Sequence, residues 1–143
     1  MTLLESAIYL AVRAHAGQLD KSGQPYILHP LRVMFRCQTD EQRIVGVLHD
    51  VIEDTSVTVE DLRNAGFNEE ILAALDCVTK RNGESYEDFV ERAAANPIAR
   101  RVKLADLEDN MDLRRLGAAN LGPKETDRLN RYLRAWHRLH APG

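Results

Sequence analysis

The nine residues Val47-Leu48-His49-Asp50-Val51-Ile52-Glu53-Asp54-Thr55 constrain this chain more than any other stretch. They place four ionisable side chains within six positions, inside an apolar run that begins at Ile44. Buried charge is costly unless it is paired or bound to a metal. On one continuous helix, His49 and Glu53 share a face, and Asp50 and Asp54 share the neighbouring one. A lone His-Asp pair in such a run reads as a satisfied core histidine beside a solvated carboxylate. Four ionisable groups where the pattern demands core point instead to a metal or catalytic site.

The rest of the chain narrows the classes of protein that could carry such a site. With 143 residues there is room for one domain with a real core and too little for two comfortable ones. A formal charge of −3 argues against a general nucleic-acid binder, which would show a basic surface. It leaves an anionic small substrate open, because a metal and a few local Lys and Arg can reverse the field in one pocket. Cys37 and Cys77 lie in apolar surroundings and read as reduced thiols rather than a disulfide. Met1-Thr2-Leu3-Leu4-Glu5 has no basic leader, and no stretch has the length to span a bilayer. A cytoplasmic protein with no nucleic-acid or membrane partner is expected.

Apolar periodicity predicts helices almost throughout. Leu3 to His15 carries apolar groups at helical spacing and stops at Ala16-Gly17. A polar loop, Gln18 to Pro25, leads to His29-Pro30, with His29 at or near the cap of a short helix from Leu31 to Cys37. Thr39 or Asp40 can cap a helix running through the opening stretch to about Glu53. Thr58-Val59-Glu60-Asp61 resembles a capping box ahead of Gly66, and Asn68 can cap the helix after it. Ser85 opens another helix, broken at Asn96-Pro97. Pro97 to Leu116 reads as one long amphipathic segment. A loop at 117–123 precedes a basic helix from about 124 to 140, with Leu129, Tyr132, Leu133, Trp136 and Leu139 inward. No convincing strand, repeat or composition shift appears. The expectation is one all-α domain over 1–143, a compact bundle of seven or eight helices.

A second acidic patch is Lys103-Leu104-Ala105-Asp106-Leu107-Glu108-Asp109-Asn110. Asp106 and Asn110 share a helix face with apolar Val102 and Leu113, while Glu108 and Asp109 point elsewhere, to solvent. Asp106 either pairs with a buried Arg or completes a metal site. His137 and His140, on the basic C-terminal helix, read as surface residues. His29, His49, Asp50 and Asp106 make a mixed nitrogen and oxygen set that suits Mn²⁺, Fe²⁺ or Zn²⁺ better than Ca²⁺ or Mg²⁺. No Cys lies near them, which argues against a structural zinc site. A water at an open metal position would ionise near neutral pH, and Glu53 could take its proton or orient it.

The order His29, His49-Asp50, Asp106 resembles the HD-domain metal-dependent phosphohydrolases. The finer resemblance is to the hydrolase domain of the bifunctional alarmone enzymes and their small stand-alone relatives, the (p)ppGpp hydrolases. It is carried by Ala14-His15-Ala16-Gly17-Gln18, Lys21-Ser22-Gly23-Gln24-Pro25-Tyr26-Ile27-Leu28-His29-Pro30, Leu48 to Thr55, and Val102-Lys103-Leu104-Ala105-Asp106 with Asn110. It runs from about residue 5 to 116. The resemblance implies that His29, His49, Asp50 and Asp106 hold one divalent metal, typically Mn²⁺. Glu53 and Asp54 would position and activate water, and Lys21, Ser22 and Asn110 would line the nucleotide pocket. His15 would stand behind the ligands or be structural. The implied reaction is hydrolysis of the 3′-pyrophosphate of ppGpp or pppGpp to GDP or GTP and pyrophosphate, without a synthetase activity.

Three positions depart from that family's pattern. Asp20 stands where a basic residue usually contacts the guanine nucleotide, and Leu107 and Asp109 replace a basic residue and a His or Tyr. A negative charge beside a polyanion weakens binding unless its side chain turns away. Two further readings follow: an HD hydrolase for another nucleotide, which Asp20 favours, and a nucleotide-binding HD module without turnover. An intact Glu53-Asp54 argues against the module, since binding alone needs no water-activating carboxylate.

Overall fold

The computed structural model describes residues 1–117 and 119–141, so residue 118 of the expected 117–123 loop and residues 142 and 143 lie outside the description. Among the described residues every regular element is helical, with no strand beyond a single antiparallel bridge between Leu19 and Pro25. The helices are α1 (Leu3–Ala14), α2 (Leu28–Phe35), α3 (Asp40–Leu48), α4 (Val51–Asp54), α5 (Val59–Asn64), α6 (Glu69–Cys77), α7 (Tyr86–Ala94), α8 (Pro97–Asn110) and α9 (Pro123–His140). A 3₁₀ turn occupies Leu113–Arg115. Helix starts follow the polar residues that satisfy free backbone N–H groups. The side chains of Thr39, Thr58, Asn68, Ser85 and Asn96 each accept from the N–H three residues on. Gly17 ends the α1 turn with φ at +84°, where a side chain would be strained.

Helix α3 is the centre of the bundle. It packs against α1, α2, α6 and α8, and Val45, Val47 and Leu48 are fully buried. The main core joins them to Ala7, Ala11, Val33, Val51, Leu62, Ile71, Leu75 and Val102. A smaller core, Val90, Leu104, Leu107, Ala135 and Leu139, fixes α9 against α7 and α8. Gly46 sets how closely α2 approaches α3. A Cβ there would stand 3.4 Å from Met34 Cα and 3.5 Å from Cys37 Sγ, so any side chain beyond alanine would force the helices apart.

Four local expectations are corrected. The helix capped by Thr39 does not run unbroken to Glu53: α3 stops at Leu48 and α4 restarts at Val51. His49 Nδ1 donates to Gly46 O at 2.6 Å, taking the carbonyl that a continuous helix offers to Asp50 N–H. Helix α2 spans Leu28–Phe35 rather than Leu31 to Cys37, which leaves His29 near the cap, in the first turn; Pro30 fits there because first-turn N–H groups have no helical acceptor. The segment from Pro97 ends at Asn110, and its tail tightens into the 3₁₀ turn. Leu133 is 47% exposed rather than inward, since the α9 stripe facing α7 and α8 runs through Tyr132, Ala135, Trp136 and Leu139. Cys37 is buried and Cys77 half-buried, both as free thiols. Among the described residues no helix is long and apolar enough to cross a membrane.

Candidate metal centre

The break in α3 is what aims His49 and Asp50 at a common point. A carbonyl can only accept, so the His49 Nδ1 bonded to Gly46 O carries a proton. Its Nε2 then faces Asp50 Oδ2 at 3.1 Å and Asp106 Oδ1 at 3.3 Å. His29, from the first turn of α2, meets the same group edge-on, with ring centroids 5.2 Å from those of His49. Its Nε2 lies 3.0 Å from Asp106 Oδ1 and 3.7 Å from Asp50 Oδ2. Donor atoms of His29, His49 and Asp106 all fall within 4.8 Å of one another, and all three residues are buried.

Those four residues fit a divalent cation. Nε2 of His49, with its proton on the other nitrogen, presents a lone pair to two carboxylates. Lone pairs facing carboxylate oxygens repel unless a proton or a metal lies between them. Without metal, the cluster keeps the proton. Burial works to lower the His49 pKa, but the Asp50 charge and the hydrogen bonds to Asp106 and Asp50 outweigh it and hold it well above its usual value. Burial raises the Asp50 carboxyl, and the His49 charge and hydrogen bond bring it down to about 2. Two imidazoles and two carboxylates that draw a positive charge between them are a donor set for a borderline metal.

Helix α8 supplies the other wall. Lys103, Asp106 and Asp109 stand three apart along it, and Asn110 follows Asp106 by four, so all lie on one side. Lys103 Nζ donates to Asp106 Oδ2 at 2.9 Å and lies 4.9 Å from the Phe89 ring centre. Only 8% of Lys103 is exposed. Burial opposes its charge, yet Asp106 keeps its pKa above the ordinary lysine value. Burial likewise raises the Asp106 carboxyl, but Lys103 and the two histidines hold it well below the usual range. Asn110 Nδ2 donates to Asp106 Oδ1 at 3.1 Å, fixing the oxygen that faces both imidazoles. Tyr26 donates its hydroxyl to Asp50 Oδ2, and burial beside Asp50 raises its pKa so that it stays a donor.

An open cleft of about 400 Å³ adjoins the cluster, and Glu53, Asp54, Lys80, Phe89, Arg131 and Tyr132 line it together with the cluster itself. Glu53 Oε1 accepts from Lys80 N at 3.1 Å. Asp54, the next residue, lies 3.4 Å from the Tyr26 hydroxyl, and its carboxyl is raised by partial burial and by the charges of Asp50 and Glu53. Lys21 and Ser22 are not in this cleft. They line a neighbouring cavity that shares Tyr26, Asn110, Arg115 and Tyr132 with it. Ser22 Oγ donates to Arg115 O at 2.5 Å, and Lys21 is exposed. Asp20 also lines this neighbouring cavity, its carboxylate accepting from Ser22 N and Gln24 N at 2.9 Å each, with Arg115 Nη2 at 3.7 Å. His15 is buried against Tyr26, its Nδ1 2.9 Å from Gln18 Oε1.

One residue assigned to solvent is in the site. Asp109 has no exposed surface, and its carboxylate holds His29 Nδ1 at 2.6 Å, Arg32 Nε at 2.7 Å and Arg115 Nη1 at 3.0 Å. The signal was present: Asp109 is three residues beyond Asp106, on the same side of one helix. Glu108 does point away, toward Arg36, Arg101 and Trp136 Nε1. Tyr132 packs on the smaller core and also reaches the cleft wall.

A helical bundle that converges a His-Asp pair with a histidine and an aspartate from two other helices defines the HD-domain class. The HD domain family profile matches residues 7–115, and this chain belongs to that family. A GTP pyrophosphokinase of Myxococcus xanthus is 34% identical over 129 residues, covering 78% of this chain and 17% of the relative. A guanosine-3′,5′-bis(diphosphate) 3′-pyrophosphohydrolase of Vibrio cholerae is 32% identical over 149 residues, covering 97% of this chain and 21% of the relative. The chain therefore spans only about a fifth of the length of these curated relatives. A solved structure of a metazoan ortholog of SpoT, described as hydrolysing ppGpp, has the same fold, with a TM-score of 0.80 at 22% identity. The match covers 99% of this chain and 87% of that one.

Proposed function

We propose that this chain hydrolyses the 3′-pyrophosphate of ppGpp or pppGpp, giving GDP or GTP and pyrophosphate, with one Mn²⁺ held by His29, His49, Asp50 and Asp106. The observation that carries the reading is the convergence of both Nε2 atoms on Asp50 and Asp106 beside an open cleft. Further support comes from relatives named as guanosine-3′,5′-bis(diphosphate) 3′-pyrophosphohydrolases in Vibrio cholerae and Borreliella burgdorferi.

A bound divalent cation supplies Lewis acidity that lets water ionise near neutral pH and neutralises phosphate charge. The chain's own groups do the rest. Glu53 and Asp54 at the cleft wall orient the attacking water and take its proton, a role that suits the raised Asp54 carboxyl. Lys80 and Arg131 set positive charge along the cleft for the phosphates. The bond between the ribose 3′-oxygen and the diphosphate breaks, and that oxygen leaves as the alcohol after taking up a proton. Lys21, Ser22 and Asn110 line the adjoining cavity and receive the nucleoside end. Asp20 lines that same cavity, but its charge is offset by two backbone N–H groups of its own loop and by Arg115, which weakens its repulsion of a guanine polyphosphate. The same reading treats residues 1–143 as one catalytic unit working in the cytoplasm, where both thiols stay reduced.

The test is a substrate panel. Protein stripped by chelation and reloaded with Mn²⁺ is incubated with ppGpp, GTP, GMP and deoxynucleotides, and products are resolved by chromatography. GDP and pyrophosphate from ppGpp, absent from the stripped sample and restored by Mn²⁺, is the expected result. Phosphate released from another nucleotide with ppGpp untouched would sink the substrate assignment. Metal retained with no turnover of anything would leave a binding module.

A further inference from the structure

Beyond the ligands themselves, we infer that Asp109 is a positioning residue for the metal: its buried carboxylate fixes His29 as an Nδ1–H imidazole and so makes Nε2 the ligating atom. This rests on the metal site proposed above and goes beyond it, because Asp109 touches neither metal nor substrate.

The geometry is specific. Asp109 Oδ2 lies 2.6 Å from His29 Nδ1, and the opposite ring nitrogen faces Asp106 and Asp50. The carboxylate has no exposed surface, so its link to His29 is not diluted by solvent. Arg32 from α2 and Arg115 from the 3₁₀ turn hold it from either side, at 2.7 and 3.0 Å. Two guanidiniums keep Asp109 ionised, so it accepts and cannot donate. His29 Nδ1 must then carry the proton. A metal-ligating histidine whose far nitrogen donates to a carboxylate is locked in tautomer and ring orientation and becomes a more basic donor. His49 achieves the same tautomer with a neutral carbonyl, Gly46 O. The two imidazoles are therefore unequal, and His29 is the stronger donor. This asymmetry is built by α2 and α8 together, since neither helix alone supplies both partners.

Asp109→Asn tests this without disturbing shape, with Arg115→Gln as the control that removes a partner of Asp109 but leaves its bond to His29. Mn²⁺ and Zn²⁺ affinities are measured by titration calorimetry on all three proteins, with circular dichroism reporting the fold. We expect Asp109→Asn to bind about 10- to 100-fold more weakly and Arg115→Gln to change far less. The wild-type protein loaded with Zn²⁺ provides a second reading that does not depend on any variant folding. Its ¹H–¹⁵N imidazole spectrum should show His29 protonated at Nδ1 and metal-bound at Nε2. Equal affinities for wild type and Asp109→Asn, losses of the same size in Asp109→Asn and Arg115→Gln, or a His29 bound through Nδ1 would each overturn the proposal. A wild-type protein that binds metal but leaves ppGpp intact would remove only the substrate reading. One that binds no divalent metal would remove both.

Discussion

Replacing Asp106 with alanine is expected to abolish metal binding and turnover together and to destabilise the fold by about 3–5 kcal/mol, because it leaves a buried cation unpaired. Asp106 meets four partners at once: His29, His49, Asn110 and Lys103. Lys103 is almost fully enclosed, beside Phe89 and Tyr86, with Asp106 as its carboxylate partner. For a chain of this size the loss corresponds to roughly 10–17 °C in Tm. Asp106→Asn, alone and combined with Lys103→Met, separates the two effects. It keeps the shape but loses the charge, so metal affinity still collapses. Adding Lys103→Met to Asp106→Asn should recover most of the stability and none of the metal. Thermal unfolding and metal analysis on the same preparations check this. Metal retained by Asp106→Asn at wild-type affinity would remove that residue from the site.

Glu53→Gln and Asp54→Asn should behave in the opposite way. Both side chains lie at the cleft wall, outside the group of atoms that converges between the imidazoles. Each variant is expected to keep one equivalent of metal and its thermal stability while slowing turnover about 10²- to 10⁴-fold, the range for losing a positioned acid or base. With both carboxylates acting on one water, as proposed, the double variant should be little slower than the worse single one. Single-turnover kinetics beside metal analysis reads both quantities. Full activity in both variants, or loss of metal in either, would place water activation elsewhere.

Which parts of this picture the sequence could carry follows from the range of the forces involved. Helix starts were legible at Thr39, Thr58, Asn68 and Ser85 because capping is local chemistry. The all-α bundle followed from apolar periodicity for the same reason. The break at His49-Asp50 was not legible, since it depends on a side chain competing for Gly46 O. That break matters for function: a continuous helix would have stacked His49 on Glu53, whereas the interrupted one turns His49 toward Asp106 and leaves Glu53 at the cleft wall. Lys103 and Asp109 were hidden in another way. Both types are usually solvated, and only the pairs with Asp106, His29 and two arginines make their burial tolerable. Asp20 looked hostile to a polyanion because the sequence gives a charge but not the groups that offset it. Its Asx-type bonds to Ser22 and Gln24 are visible only once the loop closes. The pairing of His29 with His49 and Asp106, across three helices, came from the order of the motifs rather than from any spacing within one element.

In the proposed site His29, His49, Asp50 and Asp106 enclose a single divalent metal. Anomalous diffraction from crystals grown with Mn²⁺ tests it most directly. One strong peak is expected, bonded to His29 Nε2, His49 Nε2 and one oxygen each of Asp50 and Asp106. A peak bonded to other residues, or no peak from a protein shown to be folded and Mn²⁺-saturated, would contradict it.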